Sequence, residues 1–162
     1  MRPLVRVMNV NDSAVIRRLV TEALLDAGGF EVYPAVHGAD AVNQLPTAQP
    51  HVIIMDTDMP VMNGLQTVRT IREEGIDLPI IMLCLSTDSV QKAMEEAIPA
   101  GANDYAKFTL RMGHVASAKM LLRHELIPKI RFWADHHFQR MMQSAFALRQ
   151  DEPGTAVMHR VG

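Results

Sequence analysis

Residues 51–65 constrain the fold more than any other stretch of the chain, and their sequence is HVIIMDTDMPVMNGL. After the histidine comes a short apolar run that is rich in β-branched residues. Such a run is typical of a strand that is buried on both faces of a parallel sheet. It ends at Asp56, and Pro60 and Gly64 then predict a loop. Because ligands bind at the carboxyl ends of the strands in open parallel sheets, we expect Asp56 to lie where the chemistry occurs.

Strand and helix patterns alternate through the first two thirds of the chain. Apolar runs predict five strands, at residues 5–10, 30–36, 52–55, 79–84 and 104–107. Amphipathic periodicity predicts helices between them, at residues 14–27, 38–45, 65–74 and 90–100. Pro46 is expected to close the second helix, and Pro99 is expected to disturb the last turn of the fourth. The alternation predicts an α/β fold with a doubly wound, five-stranded parallel sheet and right-handed crossovers.

The last third of the chain has a different pattern. From residue 113 to about residue 148 apolar residues recur at helical intervals, and Pro128 predicts either a kink or the start of a second helix. Only the first turns are needed to cover the sheet, so the later apolar positions have no evident partner in it. We therefore expect a domain at residues 1–130, an extended C-terminal helix at 131–150 and a flexible tail or linker at 151–162.

Composition excludes several functional classes. The formal net charge of −2 gives no general basicity for binding nucleic acid. No apolar run approaches the roughly 18 residues that span a membrane, and Arg6 interrupts the N-terminal apolar residues before a signal peptide can form. The single cysteine, Cys84, rules out an internal disulfide framework. These features predict a cytoplasmic protein with no nucleic-acid or membrane partner.

Charged residues follow three of the predicted strands at one edge of the sheet. Asp12 follows the first strand, Asp56 ends the third and Lys107 ends the fifth. Two carboxylates favour a hard divalent cation, for which Mg²⁺ is the expected ion. Together with a lysine, they are the groups that phosphoryl transfer to an aspartate requires. Taken singly, Asp12 is also compatible with a helix cap and Lys107 with an exposed surface residue.

Three motifs stand in a fixed order: Asp12-Ser13, the segment MDTDMPVMNGL at residues 55–65, and GANDY at residues 101–105. In order and spacing they resemble the receiver domain of two-component response regulators, over about residues 4–130. The Asp-x-x-Met-Pro-x-Met-x-Gly segment is highly specific to that family. The turn after the first strand and the residues ELIPKIR at 125–131 are most similar to the regulatory domain of chemotaxis protein-glutamate methylesterases.

The resemblance implies the flavodoxin-like receiver fold, with Asp56 as the phosphoacceptor. Asp12, Asp56 and the backbone carbonyl of Asp58 would bind Mg²⁺. A sensor histidine kinase would donate the phosphoryl group, in chemotaxis-type phosphorelay signalling. Tyr105 would be the aromatic residue that rotates inward after phosphorylation. Because no Gly-x-Ser-x-Gly motif is present, we expect a regulatory domain and no methylesterase activity in this chain.

Three departures from the family pattern weaken this expectation. Asn11 replaces one member of the usual acidic pair after the first strand. Cys84 occupies the position of the Ser or Thr that contacts the phosphoryl group, and a thiol donates a poor hydrogen bond. Ser86 would replace it only if the loop shifted. Lys107 lies one residue before the usual lysine position, which holds Phe108, so its side chain is expected to miss the site unless the strand bulges. We therefore expect weak phosphorylation or weak switching.

Three alternatives stay open. A degenerate pseudo-receiver would act without phosphorylation, and its apolar stripe at residues 132–148 would form a homodimer or dock a partner. Alternatively, the chain would be the regulatory part of a longer methylesterase, with a linker after residue 150. A phosphatase of the haloacid dehalogenase type is disfavoured, because its Asp-x-Asp motif belongs on the first strand and the further acidic residues are not found.

Overall fold

A computed structural model describes residues 3–110 and 114–151. Its centre is a five-stranded parallel sheet with the strand order β2-β1-β3-β4-β5. The strands are β1 (Val5–Val10), β2 (Phe30–Ala35), β3 (Val52–Asp56), β4 (Ile80–Cys84) and β5 (Asp104–Lys107). The predicted parallel α/β sheet is confirmed, and Asp56 ends its middle strand.

Helices cover both faces of the sheet. They are α1 (Ala14–Ala27), α2 (Gly38–Ala48), α3 (Gly64–Glu73), α4 (Thr87–Lys92), α5 (Ile98–Ala100), α6 (Val115–Glu125) and α7 (Ile127–Asp151). A π-helical turn at Ala93–Ala97 joins α4 to α5, so these three pieces form one helical segment. Side chains alternate along each strand, and they fill one core under α1, α6 and α7 and another under α2, α3 and the α4–α5 segment.

The two predicted proline effects turn out differently. Pro46 does not close α2, which continues to Ala48. Pro46 lies only two residues before the end of α2, so it perturbs no more than the last turn, and α2 ends where Gln49 takes a left-handed conformation with φ 45°. The α4–α5 segment starts earlier than predicted, at Thr87, because Ser86 caps it. Its distortion precedes Pro99, since the π turn includes Glu95, whose carbonyl a proline four residues later would meet in a regular α-helix.

The C-terminal part consists of two helices, α6 and α7, separated at Leu126. Of the two possibilities left open for Pro128, the structure has the start of a second helix, since Pro128 is the second residue of α7. The first half of α7 belongs to the core, where Ile127, Ile130 and Ala134 are buried. Packing therefore continues past residue 130, where the sequence suggested a domain boundary. The predicted start of the helical region at residue 113 and the tail at 152–162 lie outside the described residues.

The second half of α7 has different surroundings. Every residue from 139 to 151 is exposed, and the apolar ones include Met142, Phe146 and Leu148, whose exposed fractions are 73%, 64% and 70%. Within residues 3–110 and 114–151, no helix is long and apolar enough to cross a membrane. The apolar stripe predicted from the sequence is thus present on the surface of the protein.

The role of α7 in the core leads to a stability prediction that compares two alanines of one helix. Ala134→Glu introduces a charge at a position that is fully buried, and we expect it to lower the free energy of unfolding by at least about 3 kcal/mol. Ala147→Glu makes the same change at an exposed position, and we expect an effect within about 0.5 kcal/mol. Urea unfolding followed by circular dichroism measures both. Equal effects would mean that α7 does not pack on the sheet.

Candidate functional site

The carboxyl edge of the sheet brings together the acidic residues that the sequence singled out. Val10 and Met55 are register partners in β1 and β3, so the residues that follow them lie at the same edge. Asp56 is the last residue of β3, and Asp12 lies in the turn after β1. The residue Asp56 is only 6% exposed, whereas Asp12 is exposed to solvent. The site therefore combines one buried and one exposed carboxylate.

Burial dominates the electrostatics of Asp56. It raises the pKa of this carboxyl to about 6, and the nearby charges of Asp12 and Asp58 add to the increase. The backbone N–H of Asp58 donates to Oδ1 of Asp56 at 3.3 Å and partly opposes the shift. No lysine or arginine among the described residues forms an ion pair with Asp56. The site therefore carries a carboxylate whose negative charge is poorly compensated.

The loop from β3 to α3 is tightly built. The N–H of Met62 donates to the carbonyl of Pro60 at 2.7 Å, and Val61 between them has φ 67°. A β-branched residue in this region is strained. At the end of the loop, a Cβ on Gly64 would lie 2.6 Å from the carbonyl oxygen of Asp56. The loop thus packs its own backbone against the phosphoacceptor candidate, which explains why a glycine is needed there.

The carboxylate of Asp58 forms an ion pair with Lys92, a residue that the sequence analysis did not single out. Nζ of Lys92 lies 3.1 Å from Oδ1 of Asp58, and both side chains are at least half-exposed. This ion pair raises the pKa of Lys92. Lys92 is the last residue of α4, one of several exposed charged residues on that segment. Nothing in the sequence distinguished it from an ordinary surface lysine.

The hydroxyl and thiol groups near the site are already engaged. Sγ of Cys84 is fully buried and lies 3.9 Å from Oγ1 of Thr57. Burial raises the pKa of the Cys84 thiol, which keeps it neutral. The hydroxyl of Ser86 caps α4, where it accepts from the N–H of Ser89 at 3.0 Å. A replacement of the missing hydroxyl by Ser86 would therefore require the loss of a helix cap.

The strand β5 keeps Lys107 away from the acidic residues. Pairing of β5 with β4 is regular from Asp104 to Lys107, so the bulge that would redirect Lys107 is absent from this described strand. Ala106 and Phe108 belong to the core under α6, with Phe108 only 1% exposed. Lys107 is exposed, and no hydrogen bond or ion pair joins it to Asp12, Asp56 or Asp58.

Tyr105 is held by residues of α7. Nζ of Lys129 lies 5.1 Å from the centre of the Tyr105 ring and also donates to the backbone carbonyl of Tyr105. Asp104 accepts from Lys129 at 3.3 Å and from the indole N–H of Trp133 at 3.0 Å. Half-buried Tyr105 thus packs against the core while a cation lies beside its ring. No local sequence pattern predicts this contact, because it joins residues far apart in the chain.

The donor set fits a magnesium ion. Mg²⁺ needs one or two carboxylates and retains several waters, and Asp12, Asp56 and the backbone carbonyl of Asp58 meet that need. Within the described parts of the chain, no group of three or more His, Cys, Asp and Glu side chains is placed to hold a metal, so a metal ion at this edge would have at most two such side chains as ligands. Asn11 adds no obvious ligand, because its Oδ1 accepts from the N–H of Ser13 at 2.9 Å.

The raised pKa of Asp56 predicts a stability that depends on pH. Because the folded state binds this proton more tightly than the unfolded chain, the resulting stabilisation is complete below pH 3.8 and is lost as the pH rises through about 6. Asp56→Asn should therefore raise the free energy of unfolding by about 3 kcal/mol at pH 7.5 and by about half as much at pH 5.

Urea unfolding in metal-free buffer measures the difference at the two pH values. Asp58→Asn serves as the matched control, because the side chain of Asp58 is 63% exposed, and its effect should stay within about 0.5 kcal/mol. If the gap between Asp56→Asn and the original protein were the same at both pH values, the raised pKa would be wrong.

Comparison with known proteins places this chain in a family. The model of the response regulator receiver domain matches residues 7–110. A protein-glutamate methylesterase/protein-glutamine glutaminase of Nocardioides sp. is 38% identical over 130 residues, which is 80% of this chain and 36% of that protein. The corresponding protein of Trichodesmium erythraeum is 36% identical over 129 residues, 79% of this chain and 37% of that protein. The chain thus spans little more than a third of the length of these relatives.

Solved structures give the same result. The response regulator domain of Thermotoga maritima CheB matches with a TM-score of 0.68 and 28% identity, over 82% of this chain and 97% of that chain. The chemotaxis response regulator CheY4 of Vibrio cholerae matches with a TM-score of 0.59 and 32% identity, over 70% of this chain and 94% of that chain. Sequence and fold therefore agree, and the chain belongs to the family of response regulator receiver domains.

Proposed function

We propose that this chain is the receiver of a chemotaxis-type phosphorelay, in which Asp56 accepts a phosphoryl group from a sensor histidine kinase. The observation that carries the proposal is the position of Asp56, a buried carboxylate with no paired cation at the carboxyl end of the middle strand. Its pKa of about 6 leaves it ionised at neutral pH and able to attack phosphorus. The resemblance to CheB and CheY4 receivers supports the chemotaxis setting.

The transfer step follows from the chemistry of the two groups. One carboxylate oxygen of Asp56 attacks the phosphorus of the kinase phosphohistidine, a P–O bond forms and the P–N bond breaks. The imidazole nitrogen keeps the electron pair of the broken bond. Because the other ring nitrogen carries a proton, the group leaves as neutral imidazole. The N–H of Asp58, which donates to Asp56 before the reaction, holds the carboxylate in place.

Magnesium is the expected cofactor. Asp12, Asp56 and the backbone carbonyl of Asp58 would hold it, and when bound it would neutralise charge on the phosphoryl oxygens. Asp58 lies in the tight loop that contains Val61 and leads to Gly64. We infer that Mg²⁺ also removes part of the like-charge repulsion between Asp56 and its acidic neighbours.

Switching after phosphorylation is expected to be weak. A hydroxyl at the end of β4 is the usual donor to the phosphoryl group, and the thiol of Cys84 donates poorly. That thiol also faces Thr57 in the buried core. Tyr105, the residue that would rotate, has Lys129 beside its ring. Both features favour phosphorylation with little conformational consequence.

This proposal predicts the behaviour of Asp56 and Cys84 variants with a small phosphodonor. Phosphoramidate with Mg²⁺ should add one phosphoryl group to the chain, detectable by intact mass, and Asp56→Asn should abolish the addition. Cys84→Thr should increase the amount of phosphoprotein several-fold, roughly threefold or more, because a hydroxyl donates a better hydrogen bond than a thiol. Ser86→Ala is the control for a competing hydroxyl and should leave the yield unchanged.

Two outcomes would contradict this proposal. If no phosphoryl group is added to the original chain or to Cys84→Thr, Asp56 is not a phosphoacceptor. If addition persists in Asp56→Asn, another residue is modified.

The exposed half of α7 supports a second function, a homodimer or a docked partner that does not depend on phosphorylation. Residues 141–148 carry no charge, and all of them are exposed. A contiguous exposed apolar surface is typical of an interface. Such a helix extension is also only marginally stable when nothing covers it.

Sedimentation velocity over a concentration series tests the homodimer. Replacing Met142 and Phe146, which lie one turn apart on α7, by lysine should convert a concentration-dependent dimer into a monomer. Asp135→Lys with Gln139→Lys also places two lysines four residues apart on exposed polar positions, outside residues 141–148, and should leave the dimer intact. If the original chain is monomeric at every concentration, the homodimer is ruled out, and docking of a different partner remains as the second function.

The length of the relatives suggests a wider setting. The methylesterase/glutaminase activity in their names belongs to proteins nearly three times as long as the matched region. We propose that this chain corresponds to the regulatory part of such a protein, acts in the cytoplasm and contributes no catalytic serine. The lack of a Gly-x-Ser-x-Gly motif in its 162 residues supports this proposal.

A further inference from the structure

The site lacks the lysine that the family places after β5. Phe108 occupies that position and is buried in the core, while Lys107 makes no contact with the acidic residues of the site. A phosphoryl group on Asp56 would add negative charge beside Asp12 and Asp58. The transferred group therefore needs a cation in addition to a metal ion, from another part of the chain.

Lys92 is a cation that already contacts one of the acidic residues of this site. Its Nζ lies 3.1 Å from the carboxylate of Asp58, and the N–H of the same Asp58 donates to Asp56 at 3.3 Å. Asp58 thus contacts the ammonium group through its side chain and the phosphoacceptor through its backbone N–H. Its backbone is held in place by the adjacent Ala93, which is fully buried. The four-carbon stem leaves the ammonium group free to move over several ångströms.

The α4–α5 segment has an unusual shape at this point. Lys92 is the last residue of α4, and the next residues form the π-helical turn. Single π turns inside helices occur often at functional sites, since they change the direction in which side chains leave the helix. Asp88 and Glu96 on the same segment also act on Lys92, but the group that its ammonium contacts is the carboxylate of Asp58.

We propose that Lys92 neutralises the phosphoryl group on Asp56, in place of the lysine that is missing after β5. The inference rests on the proposed phosphorelay function. In the free protein Lys92 pairs with Asp58, and on phosphorylation its ammonium group donates an N–H to a phosphoryl oxygen. No proton is transferred, and the bonds that form and break at phosphorus are those of the transfer to Asp56.

Beryllofluoride binding to the full chain in the presence of Mg²⁺ tests this assignment, followed by fluorine NMR. Lys92→Ala should weaken binding about tenfold and slow phosphorylation by phosphoramidate by a similar factor. Lys92→Arg should restore binding to within about threefold, because it keeps the charge. Lys119→Ala, which removes a lysine that pairs with Glu22 on α1, is the matched control and should stay within about twofold.

Asp58→Asn separates a phosphoryl contact from a merely structural ion pair. If Lys92 served only to hold Asp58, then Asp58→Asn and Lys92→Ala would weaken binding equally. A phosphoryl contact predicts that Asp58→Asn binds at least as tightly as the original protein, because it frees Lys92 and removes a negative charge. Circular dichroism checks that each variant is folded, and the side chains of Lys92 and Asp58 are at least half-exposed.

The outcomes are distinguishable. Binding by Lys92→Ala equal to that of the original chain, or a large loss in Lys107→Ala instead, would overturn the role of Lys92 and leave the proposed function standing. Equal losses in Asp58→Asn and Lys92→Ala would reduce Lys92 to a structural partner. If the original chain binds no beryllofluoride and accepts no phosphoryl group, the receiver function fails and the role of Lys92 fails with it.

Discussion

The burial of one carboxylate, Asp56, governs the site. The middle strand β3 is buried along its whole length, so its last residue enters an environment that favours the neutral acid. Asp12 and Asp58 add negative charge nearby. The large apolar cores on both faces of the sheet offset this local cost. Any cation that reaches the edge of the sheet therefore gains free energy from a charge that the fold has left uncompensated.

Strand register decides which side chains are able to supply that cation. Regular pairing through Lys107 places Phe108 in the core next to α6. There the aromatic ring fills apolar space, whereas the charge of a lysine would have no partner. Restoring the family residue by Phe108→Lys would bury a charge and open a cavity at the same time. The packing of the core around Phe108 is therefore incompatible with the usual lysine at this position. A cation must come from a different element, and α4 starts at the same edge of the sheet.

The sequence was sufficient for the parts of the fold that follow from local pattern. Alternating apolar runs located all five strands to within one or two residues, and the edge that collects Asp12 and Asp56 followed from parallel pairing. It was insufficient for features that depend on distant contacts. The ion pair of Lys92 with Asp58 and the packing of Ala134 join residues that no local pattern connects. Pro46 was misjudged, since α2 continues past it to Ala48, whereas the helix that contains Pro99 is distorted just before it, in the π turn.

The helix α7 contacts β5, the strand that carries Tyr105, the residue expected to rotate after phosphorylation. It runs along the amino-terminal edge of the sheet, where Phe138 packs on His51 before β3 and Arg140 pairs with Asp77 before β4. At β5 it contributes Lys129 beside the ring of Tyr105. Rotation of Tyr105 would give up this cation–π contact, whose free energy is about 0.5–1 kcal/mol at a partly exposed site. Cys84 ends β4, and Tyr105 lies on the neighbouring strand β5. A weak donor at Cys84 and a ring held by α7 would thus both oppose the rotation of Tyr105 that the proposed switch requires.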